Sequence, residues 1–140
     1  MAISRLIQTI DCTIEEAFLT VSNVSTFPEW NPTVKEVERT SDGVIGEGTT
    51  FRMKIRGMGD QTMELTDFEK DKSVTLTPHS KMFDGGHTFV FTKHRGMTRI
   101  DHTLRMQPKG VFKLLSPVFG MMSSRNLRAT SEALQEHLEN

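Results

Sequence analysis

Short segments of alternating apolar and polar residues fill most of the chain between Val34 and Met106, and the turns between them are only a few residues long. The clearest segment runs from Thr49 to Arg56, where every second residue from Phe51 onward is apolar. Because parallel strands need crossovers of about a dozen residues or more, turns this short predict an antiparallel sheet. The segment from Phe83 to Gly86 is predicted to be a loop. The predicted strands are Ile3–Ile10, Val34–Thr40, Thr49–Arg56, Gln61–Glu69, Val74–Thr77, His87–Lys93 and Thr98–Met106.

Two helices complete the pattern. Thr13 and Glu16 have the spacing of a capping box, which predicts a helix of about 9–10 residues from Ile14. Apolar residues at helical spacing predict a longer helix from Pro117 to Glu139. A single antiparallel sheet has one apolar face to cover, and the longer helix is the only predicted element large enough to cover it. The sequence therefore predicts one α+β domain over residues 1–140, with a curved antiparallel sheet of about six to seven strands around a long C-terminal helix.

The composition excludes several classes of protein. With 140 residues, of which 36% are apolar, the chain is large enough for one domain with its own core. Its one cysteine, Cys12, rules out an internal disulfide and fits a reducing compartment. The sequence has no apolar run of the roughly 18 residues that a transmembrane helix needs, and its first residues lack the pattern of a secretory signal. We therefore expect a cytoplasmic protein.

Charge is distributed unevenly along the chain. Residues 11–71 contain 13 acidic and 6 basic residues, whereas residues 93–128 contain 8 basic residues and 1 acidic residue. The basic second half is suited to an anionic ligand or membrane surface, although two solvated faces of opposite charge explain the same pattern. Its basic residues are dispersed and are not interleaved with aromatic residues, so we expect no nucleic-acid partner.

The most informative stretch is the hairpin predicted around the Arg95-Gly96 turn. A two-residue turn pairs Phe89 with His102 and His87 with Leu104. Both histidines then lie on the apolar face as diagonal neighbours, about 7–8 Å apart, and bracket the space for a ligand carbonyl or hydroxyl group. With an ordinary pKa of about 6.5, either imidazole also suits a general base. The alternative is a half-buried pair whose nitrogens are satisfied by backbone or water.

The apolar face of the sheet predicts one wall of a cavity under the final helix. Several methionines fall on this face, and methionine adapts to irregular ligands. We expect a cavity of at least about 300 Å³, the low end for ligand pockets. Asn126 lies close to the apolar stripe of the helix and needs a partner, which is a ligand, water or backbone group. The candidate ligand-binding residues are Phe51, Met53, His87, Phe89, Phe91, Ile100, His102, Leu104, Phe119, Met122 and Asn126.

Other chemistry finds little support in the sequence. The five histidines lack the spacing of metal ligands, and no nucleophile elbow of the form G-x-S-x-G occurs. Cys12 lies between a predicted strand and a predicted helix, where we expect an inert thiol. The chain contains no tyrosine, so no phenol is available as an acid or a base. The sequence therefore predicts neither a metal nor a cofactor.

Several motifs together resemble a known group of proteins. They are T-I-E-E-A-F from Thr13, W-N-P-x-V from Trp30, G-E-G-T from Gly46, G-H-T-F from Gly86, G-M-T-R-I from Gly96, P-x-G from Pro108, and Asn126-Leu127 in the final helix. In order and spacing they resemble the polyketide cyclase/dehydrase-like branch of the START-like (SRPBCC) superfamily. The resemblance spans the whole chain and implies a helix-grip fold with a deep cavity between the sheet and the final helix. It implies no single activity, since relatives include lipid carriers, plant hormone-binding proteins and aromatase/cyclases.

Three functions follow from these patterns. The first is binding of a small hydrophobic or amphipathic molecule, such as a lipid, isoprenoid or polyketide-like compound. The second is a cyclase or dehydratase that uses His87 or His102 as general base, although no carboxylate is placed to orient either ring. The third is a protein-interaction module in which the charged face of the sheet docks a partner, a hypothesis that a collapsed cavity would support. The sequence leaves the oligomeric state open.

An apolar segment precedes the final helix. Residues from Val111 to Met122 are mostly apolar, yet the segment begins after Gly110 and is flanked by lysines. It is predicted to be either a movable gate in transient contact with an anionic membrane surface or a well-packed first turn of the helix.

Overall fold

The computed structural model describes residues 2–57 and 59–139, and it describes the side chains of all of these except positions 2, 115–120, 122 and 123. Within these residues the chain forms seven strands, two α-helices and two short 3₁₀ helices. In chain order they are β1 (Ala2–Ile10), α1 (Ile14–Ser22), the first 3₁₀ helix (Val24–Glu29), β2 (Val34–Arg39), β3 (Thr50–Ile55), β4 (Gly59–Glu69), β5 (Ser73–His79), β6 (Phe83–His94), β7 (Met97–Pro108), the second 3₁₀ helix (Gly110–Leu115) and α2 (Ser116–Glu139).

The described strands form one antiparallel sheet in the order β1-β7-β6-β5-β4-β3-β2. The hairpin between β6 and β7 closes at Arg95 and Gly96, which both have positive φ angles, as a two-residue turn of type I′ requires. Its register pairs Phe89 with His102 and His87 with Leu104. The predicted α+β fold, a curved sheet around a C-terminal helix, and the predicted hairpin register are therefore confirmed.

Helix α1 covers part of the sheet that the sequence assigned to the long helix alone. The helix begins as predicted, since the Glu16 backbone N–H donates to Thr13 Oγ1 at 3.1 Å. Its buried Phe18 ring makes edge-on contacts with Phe68 and Phe91 at 5.3 and 5.4 Å between ring centroids. Because α1 packs over this end of the sheet, the space beneath α2 is confined to the other end.

Helix α2 packs along β1 and β7. Among its described side chains, Leu127 and Leu134 are buried, and so are the polar residues Thr130 and Ser131. Within residues 2–57 and 59–139, no helix is both long and apolar enough to cross a membrane.

The segment from Phe83 to Gly86, predicted to be a loop, is part of β6. It continues the ladder with β7, where Phe83 pairs with Pro108 and Gly86 pairs with Arg105. Glycine is required here, because a Cβ atom on Gly85 would lie 1.9 Å from the Arg105 carbonyl oxygen. A Cβ on Gly86 would lie 2.6 Å from the carbonyl oxygen of Leu76, on β5. The two glycines therefore let β6 pass close to both neighbouring strands just before His87.

Candidate functional site

A cavity of about 120 Å³ lies between the sheet and α2. Its lining is mostly apolar, with polar contributions from a few side chains. The volume falls short of the 300 Å³ that the sequence predicted, and long methionine and phenylalanine side chains line the space that remains. An apolar cavity of about 150 Å³ is large enough to bind benzene, so a volume of about 120 Å³ is comparable to the space that a single ring needs. Its principal apolar lining residues are Met53, Met63, Leu76, Phe83, Phe89 and Met106.

The structure divides the predicted site residues into three groups. Those that line the cavity are Met53, His87, Phe89, Leu104 and Asn126. Those that are buried elsewhere in the core or behind the cavity wall are Phe51, Phe91, Ile100 and His102. Those whose side chains lie outside the described part of the chain are Phe119 and Met122. Period-two alternation predicted the correct face of the sheet, but Phe91 on that face meets α1 rather than the cavity.

Sequence reasoning missed the wall that comes from the first 3₁₀ helix and the turn after it. Trp30 and Asn31 line the cavity there, together with Thr33. The turn is held by the Asn31 side chain, whose Oδ1 accepts from the Thr33 backbone N–H at 3.0 Å and from Thr33 Oγ1 at 2.7 Å. The available signal was the W-N-P motif, which by itself predicts only a turn.

His87 and His102 form a direct hydrogen bond, with 2.9 Å between His87 Nδ1 and His102 Nε2. Their ring centroids lie 5.2 Å apart, so no ligand atom fits between the rings as the sequence suggested. The difference arises because both side chains lean toward each other across the diagonal of the ladder. His102 is almost completely buried and stacks on Phe89, with 4.0 Å between ring centroids. The pair therefore presents one histidine, His87, to the cavity.

Burial keeps both rings neutral. It lowers the pKa of His87 to about 4. Burial also lowers the pKa of His102, and charge on His87 lowers it further. Near pH 7 each ring therefore carries one proton, and each can act as both a hydrogen-bond donor and an acceptor.

Two buried nitrogens near the cavity lack a hydrogen-bond partner within the described part of the chain. They are Nδ1 of His102 and Nε1 of Trp30. The Trp30 ring lines the cavity, whereas His102 lies behind His87. A buried polar atom without a partner costs about 1–3 kcal/mol of folding free energy, so each of these two nitrogens lowers the stability of the folded protein.

The remaining reactive groups lie apart from the cavity. Burial raises the pKa of the Cys12 thiol, which disfavours the nucleophilic thiolate. Across residues 2–57 and 59–139, no three side chains of the His, Cys, Asp or Glu type come together in a way that could hold a metal ion.

Comparison with known proteins places this arrangement in a family. The family model described as polyketide cyclase / dehydrase and lipid transport matches residues 1–139. A search of curated protein sequences found no match to the chain.

Solved structures with the same fold are distant in sequence. A START superfamily protein from Mycobacterium smegmatis has 16% identity and a TM-score of 0.81, with 99% of this chain and 98% of that chain covered. The protein TTHA0849 from Thermus thermophilus has 17% identity and a TM-score of 0.80, with 97% and 96% covered. The ZhuI aromatase/cyclase from a Streptomyces species has 11% identity and a TM-score of 0.78, with 98% and 93% covered. Because this family model matches nearly its whole length, the chain belongs to the polyketide cyclase/dehydrase and lipid transport family.

Proposed function

We propose that the protein binds a small hydrophobic or amphipathic molecule in the cavity between the sheet and α2. The observation that carries this proposal is the cavity itself, a mostly apolar space with a few polar side chains at its wall. Such a lining is typical of ligand sites, where apolar contacts supply affinity and a few polar groups fix orientation. We keep a cytoplasmic location within the proposal, on the strength of the single Cys12.

The cavity volume limits what the ligand places inside. A space of about 120 Å³ holds a ring or a short chain segment without any rearrangement. Three of the lining residues, Met53, Met63 and Met106, are methionines, whose unbranched side chains adopt several rotamers at low cost. A longer lipid, isoprenoid or polyketide-like compound therefore enters by displacing methionine side chains.

Binding is favoured over catalysis by the surroundings of the histidine pair. Among the described residues, no carboxylate side chain forms a hydrogen bond to His87 or His102, whereas the orienting carboxylate of a catalytic histidine makes that contact. The cyclase or dehydratase hypothesis thus lacks its positioning group. A collapsed cavity would have supported the interaction-module hypothesis, whereas the cavity here has a volume of about 120 Å³.

The single tryptophan makes the proposal testable. Trp30 lines the cavity and is the only tryptophan in the chain, so its fluorescence reports on ligand entry. We expect straight-chain alcohols from hexanol to dodecanol to change this fluorescence saturably. Leu104→Phe, which adds bulk at the cavity wall, should weaken the binding of the longest alcohols about tenfold, because the larger side chain takes up cavity space.

The matched control is Val90→Phe, which adds a ring to the half-exposed outer face of the sheet. This variant should bind the alcohols like the wild type. If no alcohol binds, or if both variants bind as the wild type does, the cavity is not the ligand site. Native mass spectrometry of protein purified from its own source would identify the natural ligand.

We further propose that the protein makes transient contact with an anionic membrane surface through the second 3₁₀ helix and the start of α2. Here Val111, Leu114 and Met121 are 77%, 87% and 59% exposed, which favours the gate hypothesis over a well-packed first turn at these positions. Phe112 lies on the inner side, packed against Phe83 and Met106 at the cavity wall. Val111, Leu114 and Met121 therefore form exposed apolar surface close in the chain to Phe112, which packs against the cavity wall.

A further inference from the structure

The histidine pair leaves one nitrogen for a ligand. His87 lines the cavity, and its Nδ1 is occupied by His102. The only nitrogen left on the His87 ring is Nε2, which points away from the bond to His102. His102 Nδ1 is fully buried and has no partner in the described chain, whereas His87 Nε2 is not one of the atoms in that situation. The accessible surface of this half-buried ring therefore belongs to the cavity.

The proton count of the pair gives Nε2 a definite role. Two neutral imidazoles carry two protons on four nitrogens, and one proton lies in the bond between them. If His87 donated that bond, the proton of His102 would be on Nδ1, where it would be buried with no described acceptor. Fully buried N–H groups without a partner are rarer than buried acceptors without one. The favoured arrangement has His102 Nε2–H donating to His87 Nδ1, with the second proton on His87 Nε2.

We propose that the ligand carries a neutral oxygen acceptor, such as a ketone, ester or ether oxygen, that accepts a hydrogen bond from His87 Nε2–H, with the proton held there by His102. This inference rests on the proposed function and names the chemical class of its ligand. His102 acts as a positioning residue because it contacts His87 and does not line the cavity.

The surroundings favour a neutral ligand over a charged one. Leu76 and Leu104 are the strand partners of His87 on either side, and both line the cavity. A carboxylate placed between them would be desolvated, and a neutral histidine offers no opposite charge to offset that cost. A ketone or ester oxygen needs only one donor and leaves the rest of the ligand for apolar contacts.

The test compares two compounds that differ in a single oxygen. 1-Indanone and indane share a ring skeleton of a size suited to the cavity, but only indanone has an acceptor. Ligand-observed NMR gives the ratio of their dissociation constants for each protein. We expect His87→Phe to reduce the preference for indanone about fivefold, since it removes one hydrogen bond. His87→Gln, which keeps a side-chain N–H, should restore part of that preference.

The ¹⁵N shifts of the imidazoles test the proton positions without any ligand. At pH 7 they should show that both rings are protonated at Nε2 and unprotonated at Nδ1. The opposite tautomer of His87 would overturn the inference, as would an unchanged indanone preference in His87→Phe. In both cases binding to the cavity still stands. If neither compound binds the wild type, the inference and the proposed function fail together.

Discussion

At the scale of single residues, the most consequential feature is a pair of neutral histidines in the core. His102 is 1% exposed and stacked on Phe89, and the only hydrogen-bond partner of its imidazole ring in the described chain is His87. Polar rings in a core stabilise one arrangement only when their nitrogens are paired, and here one nitrogen remains unpaired within the described residues. The pair is therefore a feature for which the fold gives up some stability.

The pair makes stability depend on pH. Because the pKa of His87 is about 4 in the folded protein and about 6.5 in an unfolded chain, the unfolded state binds more protons between these values. The free energy of unfolding should therefore fall as the pH is lowered through this window. For His87 alone we expect a loss of about 2 kcal/mol between pH 7 and pH 5, measured by urea denaturation.

Comparison with variants isolates this contribution from that of the carboxylates. His87→Phe should lose less stability than the wild type over the same pH range, whereas His94→Gln, at an exposed position, should follow the wild type. Equal pH dependence in all three proteins would show that His87 is not held neutral by burial.

At the scale of secondary structure elements, β6 positions the site. This strand forms the hairpin with β7 and contains His87, which lines the cavity. It runs between β5 and β7, and its two glycines lie where its backbone comes close to these neighbouring strands. Helix α1 covers one end of the concave face of the sheet through Phe18. At the other end, a cavity remains between the sheet and α2. The location of the cavity is thus set by the division of the sheet between two helices.

The glycine pair in β6 gives a test of this geometry. We expect Gly85→Ala to lower the free energy of unfolding by at least about 2 kcal/mol, because Gly85 has a φ of 136° and its Cβ would meet the Arg105 carbonyl. Urea denaturation midpoints measure the effect. Gly46→Ala is the matched control, since a Cβ there meets nothing within 4 Å. A loss no larger than that of the control would mean that β6 is not constrained at this point.

At the scale of the whole molecule, basic residues and exposed apolar side chains occur in the same stretch of the chain. Residues 102–131 contain five Arg and Lys residues and no Asp or Glu. The same stretch includes the exposed Val111, Leu114 and Met121. Apolar side chains flanked by basic residues are the combination with which proteins contact anionic lipid surfaces.

Vesicle binding tests this surface. We expect the protein to sediment with phosphatidylserine-containing vesicles and not with pure phosphatidylcholine vesicles, and to lose most of this binding at high salt. Leu114→Asp should reduce binding several-fold. Val44→Asp, at a 95% exposed position outside the segment, serves as the charge-matched control. Equal losses in the two variants would point to net charge rather than to the apolar segment.

The sequence by itself determined the order of the elements, the antiparallel sheet and the face on which His87 and His102 lie. These features depend on local rules: period-two alternation, the length of a turn and the capping of a helix act over a few residues. For this reason the strand and helix bounds agree with the prediction within two residues, except that β6 begins four residues earlier than predicted, and the hairpin register agrees pair by pair.

Only the tertiary structure decided the volume of the cavity, the wall formed by Trp30 and Asn31, and the bond between the two histidine rings. Each of these depends on which rotamers distant segments adopt when they meet, and periodicity carries no information about rotamers. Phe91 shows the difference most clearly. Its face could be predicted from alternation, but whether it met a ligand or Phe18 depended on where α1 packed.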